Sequence, residues 1–169
     1  LLTLLKGTGT GQVLVFTRTK HRAKKIAEQL INAGVSATSL QGNLSQNRRQ
    51  EAMDQFRSGR ARVMVATDIA ARGIDVSQIT HVINYDLPNT AEAYTHRIGR
   101  TGRMERLGTA FSLVTPEDIP MVHTIERLIG TGLERRTLSG LVSKPAAVQA
   151  ATATQPRRPQ VSHRRSYAA

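Results

Sequence analysis

An α/β fold, with a parallel sheet sandwiched by helices, is what this sequence predicts, and three observations predict it. Short apolar runs alternate with segments whose apolar residues recur at helical spacing. Glycine and hydroxyl residues mark the changes between them, and the chemically loaded side chains collect just after the apolar runs. Alternation of this kind implies right-handed crossovers and helices on both faces of the sheet. Ligand-contacting residues then belong in loops outside the carboxyl ends of the strands.

The first strand is expected over residues 12–17. A helix over 20–33 follows, with apolar residues at Ala23, Ile26, Ala27, Leu30 and Ile31, and Gly34 stops it. Residues 36–40 read as a short second strand, and Ser45 can cap a helix that runs through Met53 and Phe56 to Gly59. The third strand is expected at 62–66, the fourth at 80–85 and the fifth at 108–114, with helices over 90–100 and 116–129. The opening LLTLLKG is too short to span a bilayer and reads as the last turns of an entering helix. GTGTGQ, residues 7–12, precedes its strand, whereas a dinucleotide-binding loop follows one, so it is expected to be a flexible entry turn.

A chain of 169 residues has room for one domain of ordinary size. It has no cysteine, which excludes a disulfide framework and a thiolate metal site, and a cytoplasmic location is the expectation. The formal charge of +12, from 24 Lys and Arg against 12 Asp and Glu, favours a polyanionic partner, although excess basic residues also serve solubility. The organisation expected is a domain over 1–140 and a flexible basic tail over 141–169. In that tail Lys144, Arg157, Arg158, Arg164 and Arg165 face no acidic residue, and helical or strand period is lost. Such a tail either holds phosphates by charge or simply solubilises the chain.

Four segments carry the chemistry. HRIGRTGR, residues 96–103, sets Arg97, Arg100 and Arg103 at three-residue spacing, and guanidinium forks bind phosphate oxygens bidentately; Gly99 and Gly102 allow close approach. VATDIAARGID, residues 65–75, places Thr67, Asp68, Arg72 and Asp75 at the exit of an apolar run. With VLVFTRTK (13–20) and QGNLSQNRRQ (41–50), these segments resemble motifs VI, V and IV and the Q-x-x-R element of the DEAD-box RNA helicases of superfamily 2. Order and spacing agree over about residues 11–137. The resemblance is to the carboxy-terminal, second RecA-like domain, a P-loop NTPase-like fold. Neither a G-x-x-x-x-G-K-[ST] phosphate loop nor a D-E-A-D run occurs, so the chain looks like half an enzyme whose first domain is supplied by the same polypeptide upstream of Leu1.

The resemblance implies roles for particular residues. Arg100 and Arg103 would be arginine fingers that stabilise the transferring phosphoryl group of ATP. Gly73 and Asp75 would contact the nucleotide, with Asp75 accepting from a ribose hydroxyl; a turn-capping Asp is the alternative. Thr19, Gly42, Asn43, Gln46, Arg49 and Thr67 would hold RNA through phosphate and sugar oxygens rather than base edges. Thr19 also suits a helix N-cap, and Gln46 with Arg49 also suits a solvated helix face. Asp68, Arg72, His96 and Arg97 would serve the contact between domains, Asp68 and Arg72 by ion pairing between motifs V and VI. ATP is the implied cofactor, with Mg²⁺ held mainly by the first domain, and RNA and that amino-terminal RecA-like domain are the implied partners.

The activity implied for the whole is RNA-dependent ATP hydrolysis coupled to separation of short duplexes, the present chain alone being inactive. A non-catalytic RNA-binding or protein-binding module is the alternative. Base stacking is a poor candidate mode, because there is no Trp and Phe16, Phe56 and Phe111 fall at core positions. His21, His81 and His123 show no metal-ligand spacing, and neither a metal site nor a membrane contact is expected.

Overall fold

The computed structural model describes residues 1–72, 74, 78–101 and 108–136. Five parallel strands form its sheet: β1 (Gln12–Phe16), β2 (Ala37–Leu40), β3 (Val63–Ala66), β4 (Ile79–Asn84) and β5 (Thr109–Ser112), in the order β2-β3-β1-β4-β5. The helices are α1 (Leu2–Gly7), α2 (Lys20–Asn32), α3 (Gln46–Arg57), α4 (Asp68–Ala71), α5 (Ala91–Ile98) and α6 (Ile119–Ile129), the last preceded by a 3₁₀ turn over Pro116–Asp118. This is the RecA-like α/β arrangement expected. The first unit, Leu1–Leu133, contains all of these elements. In the second, Glu134–Ala169, the described residues 134–136 carry an Arg136–Glu134 ion pair of 2.8 Å. The tail expected over 141–169 lies outside the described residues.

β1 and β3 are apolar without alternation because both of their faces are covered, and every residue in them is buried. Leu14, Phe16, Met64 and Ala66 pack with Ala52, Met53 and Phe56 of α3, with Ala70 and Ala71 of α4, and with Ile74. Val13, Val15, Val63 and Val65 pack the opposite way, onto Leu5 of α1 and Ala23, Ile26, Ala27 and Leu30 of α2. Leu87, Ala91 and Tyr94 join α5 to Val122 and Ile125 of α6 in a separate cluster.

Local chemistry sets the helix ends. Thr19 Oγ1 accepts from Arg22 N at 3.2 Å, and Ser45 Oγ accepts from Arg48 N at 3.4 Å, each satisfying an otherwise orphaned first-turn donor. Gly34 adopts φ +80° just past α2, a conformation that costs a side chain dearly. Ile31, expected in the core, is 53% exposed: it follows Leu30 by one residue and so lies at the rim of the apolar stripe.

The entry turn is tethered to the sheet. At its end a Cβ on Gly11 would stand 2.1 Å from Thr80 Oγ1, so glycine lets β1 start close beside β4. Arg62 clasps the same turn, donating from Nε to Gly11 O at 3.2 Å and from Nη2 to Leu5 O at 2.9 Å and Thr8 Oγ1 at 2.5 Å.

Candidate nucleotide and nucleic-acid interface

The carboxyl ends of β1, β3 and β4 bring three chain segments to one edge of the sheet. Thr17 follows β1 and is fully buried, its N donating to Ala66 O at 3.0 Å, which ties the loop after β1 to the end of β3. Thr67 follows β3 and leads into the single turn of α4, where Asp68 begins. The last turn of α5 supplies His96 and Arg97.

Arg97 organises this edge. Its side chain is 2% exposed, and its fork meets the Asp68 carboxylate bidentately, Nε to Oδ1 at 2.6 Å and Nη2 to Oδ2 at 2.7 Å. Nη1 donates to Asn84 Oδ1 at 3.1 Å and to Asp86 O at 2.7 Å, while the guanidinium carbon stands 5.0 Å from the Phe16 ring centre. Asn84 is itself fully buried and donates to Ser112 Oγ at 3.1 Å. The Asp86 carboxylate accepts from Arg18 N at 2.9 Å through Oδ2 and pairs with Arg22 through Oδ1. One connected network therefore joins the loop after β1, the end of β4, α4 and α5.

Arg97, expected to serve the contact between domains, is held inside this one. Its inward-facing guanidinium positions the loops of this domain through Asp68, Asn84 and Asp86. The Asp68 expectation of a link between the two segments has its counterpart in the Asp68–Arg97 pair, whereas Arg72 is exposed at the end of α4. His96, next to Arg97, is exposed. Asn84 and Asp86 escaped the sequence reading. Their signal is two polar residues directly after an apolar strand, in NYDLP, which reads as an ordinary turn.

Arg100 follows from the anchored helix end. Its N donates to Arg97 O at 3.1 Å and its Nη1 to Ile74 O at 3.0 Å, so the half-buried side chain lies against the segment after α4. Thr101 Oγ1 donates to Ile79 O at 2.8 Å. Gly73, Asp75 and Arg103 lie outside the described residues.

The expected nucleic-acid contacts gather beside this edge. Thr19, Gly42, Asn43 and Gln46 are exposed and Thr67 half-buried. Asn43 Oδ1 accepts from Lys20 Nζ at 3.2 Å, bringing the loop before α3 to the start of α2. Arg49 is half-buried and donates from Nη2 to Ala70 O at 2.8 Å, which braces α3 against α4. Among the described residues, no group of three or more His, Asp or Glu side chains could hold a metal ion, and no helix is long and apolar enough to cross a membrane.

A parallel sheet of this order with arginines converging on its strand-end edge defines a RecA-like domain. The helicase conserved C-terminal domain family matches residues 1–105. The DEAD-box ATP-dependent RNA helicase CshA of Geobacillus kaustophilus is 46% identical over 122 residues, which is 72% of this chain and 26% of that protein. The ATP-dependent RNA helicase SrmB of Escherichia coli is 40% identical over 147 residues, 87% of this chain and 33% of that protein. Among solved structures, E. coli DEAD-box protein SrmB bound to regulator of ribonuclease activity A aligns with a TM-score of 0.75 at 38% identity, over 81% of both chains. The C-terminal domain of the DEAD-box protein Dbp5 aligns with a TM-score of 0.69 at 36% identity, over 76% of both. The chain belongs to the DEAD-box RNA helicase family, as its carboxy-terminal RecA-like domain. It spans about a quarter to a third of the length of these curated relatives.

Proposed function

We propose that this domain completes the ATP site of an RNA-dependent ATPase and grips the RNA backbone during local duplex unwinding. The observation that carries the reading is the Arg97 network, which fixes the helix end from which Arg100 and Arg103 follow. Preorganised guanidinium groups stabilise charge on a transferring phosphoryl group without reorganising at the moment of reaction. Arg100 and Arg103 act there from outside the nucleotide's own cradle, which the amino-terminal RecA-like domain provides together with Mg²⁺. Asp75 and Gly73 meet the ribose side of the nucleotide, and His96 and Arg72 face the other domain.

Thr19, Gly42, Asn43, Gln46, Arg49 and Thr67 hold phosphate and sugar oxygens, so the grip does not depend on base sequence. Closure of the two domains around ATP and one strand separates that strand from its complement, and release of product reopens the cleft.

The test compares this chain with a protein carrying both RecA-like domains. The chain alone should hydrolyse ATP at background rate, while the two-domain protein should show RNA-stimulated turnover. In the two-domain protein, Arg103→Ala should lower kcat on the order of 10³-fold with little change in RNA affinity. Arg49→Ala should chiefly weaken RNA binding. Robust ATP hydrolysis by the chain alone, or an exchange of the two mutant phenotypes, contradicts the reading. A non-catalytic binding module would show RNA affinity and no turnover even with the first domain attached.

A further inference from the structure

Beside the strand-end edge, the surface of α3 opposite Ile74 is hollowed into an open cleft of about 190 Å³ lined by Gln46, Arg49, Gln50, Met53, Arg57 and Ile74. Gln46, Gln50, Met53 and Arg57 fall at i, i+4, i+7 and i+11, one face of the helix, and Arg49 flanks them. Met53 and Ile74 are 7% and 1% exposed and make an apolar floor, so the polar groups of the wall are two guanidinium groups and two carboxamides, of which Arg49 gives one donor to Ala70 O and Gln50 one to Asp54 Oδ1. That is a phosphate-binding set.

Arg48, Arg49 and Arg57 outnumber Glu51 and Asp54 on this helix. Its two carboxylates are engaged by amides: Asp54 Oδ1 accepts from Gln50 Nε2 at 2.9 Å, and Glu51 Oε1 accepts from Gln55 Nε2 at 3.2 Å. Among the described residues no carboxylate pairs with Arg57, which is exposed at the last turn. Arg57 stands two turns along from Arg49 on the wall of the same cleft, and no ion pair with a described residue ties it down.

We infer that the cleft along α3 carries the RNA backbone onward from Arg49, with Arg57 and Gln50 holding phosphates beyond those met by Gln46 and Arg49. The inference rests on the RNA reading above and extends it. Eight residues of helix separate Arg49 from Arg57, a rise of about 12 Å, which is about three to four phosphates at the spacing of a stacked strand. Among the described residues that line the cleft there is no aromatic side chain to stack a base. Continuity with Gln46 and Arg49 favours a polyphosphate chain over a small anion. Arg57 is thereby a length-dependent contact: a short oligonucleotide is held without it, and a longer one reaches it.

The experiment measures binding of labelled oligouridylates to the present chain by fluorescence anisotropy across a salt series, using a short RNA of about 6 nucleotides and a longer one of about 15, sizes that bracket the added phosphates. Arg57→Gln should leave affinity for the short RNA within about twofold and weaken the longer by several-fold. The slope of log K against log salt for the longer RNA should fall by about 0.7, one phosphate contact on a single strand. Arg49→Gln should weaken both RNAs, and Arg57→Lys should restore most of the lost slope. If Arg57→Gln changes neither affinity nor slope at either length while Arg49→Gln still weakens both, the extended track is wrong and the RNA grip stands. If wild-type chain binds neither RNA at low salt, or Arg49→Gln also changes nothing, the RNA grip itself is wrong. Competition by an acidic peptide that is lost in Arg57→Gln, with RNA binding unaffected by that substitution, assigns the cleft to protein instead and overturns the inference.

Discussion

The strand-end edge and the outer face of α3 use the same side chain in opposite circumstances. Arg97 is 2% exposed and makes four hydrogen bonds, to Asp68, Asn84 and Asp86, whereas Arg57 is exposed and no carboxylate among the described residues pairs with it. A guanidinium cannot lose its proton at ordinary pH, so burying one is tolerated only where hydrogen-bond acceptors surround it. At the surface no such demand exists, and the charge is left for a ligand. Three arginines spaced by three in HRIGRTGR therefore do not form one phosphate-binding set: the first is interior architecture, and Arg100 emerges from what it holds in place.

The comparison is most exposed to test at Arg97. Replacing it with Ala removes the partner of Asp68, the donor to Asn84 Oδ1 and Asp86 O, and the cation over Phe16. Loss on the order of 3 kcal/mol is expected, the low end for breaking a buried pair because the Asp68 side chain is 45% exposed and can recover water. Urea unfolding measures it, and Arg97→Lys should recover only part because one ammonium cannot reproduce the fork. A loss within experimental error of zero would erase the distinction between the two regions.

Asn84→Ala comes next. This residue is fully buried and stands between Arg97 Nη1 and Ser112 Oγ, so truncation leaves a donor and an acceptor facing a void. A cost of about 2 kcal/mol is expected from those unmet groups, read as a lower urea midpoint with unchanged slope.

What the sequence revealed and what it hid follow from the range of the interactions. β1 and β3 were legible because two-sided burial writes itself as an unbroken apolar run, and the caps Thr19 and Ser45 were legible because each bonds a residue only three positions on. α4 was not, since four residues are too few to display a helical period. The inward turn of Arg97 was not legible either. Its carboxylate partner lies 29 residues away in the chain, and an arginine aimed at a neighbouring domain has the same local sequence as one aimed at the core. Arg57 was passed over because one charged residue at a helix end is unremarkable until the cleft wall brings it into line with Arg49.

On the α3 face the comparison predicts the reverse balance. Arg57→Gln should shift folding stability by no more than about 0.5 kcal/mol, as for an exposed side chain outside any network, while altering RNA binding as described above. A large stability loss would mean that the cleft wall holds the fold together, and Arg57 would then belong with Arg97.

A third basic side chain, His81, shows what burial does to a cation that can discharge. It is half-buried at the opposite end of the sheet from Arg97, stacked on Phe111 with ring centres 6.2 Å apart, and its Nδ1 lies 2.8 Å from Thr80 Oγ1. Burial, and after it the nearby Arg62 charge, holds its imidazole below the ordinary value of 6.5. The folded chain thus prefers neutral His81, and the unfolded chain binds the proton more readily as pH falls. Stability from this residue is complete above pH 6.5 and declines as pH drops from 6.5 towards the lower folded value. His81→Gln should flatten that decline between pH 7 and pH 5, measured as the difference in urea midpoint between wild type and variant at each pH. The effect should be the smallest of the set, because the half-buried ring keeps access to water. Equal pH dependence in both proteins would place the acid-sensitive group elsewhere.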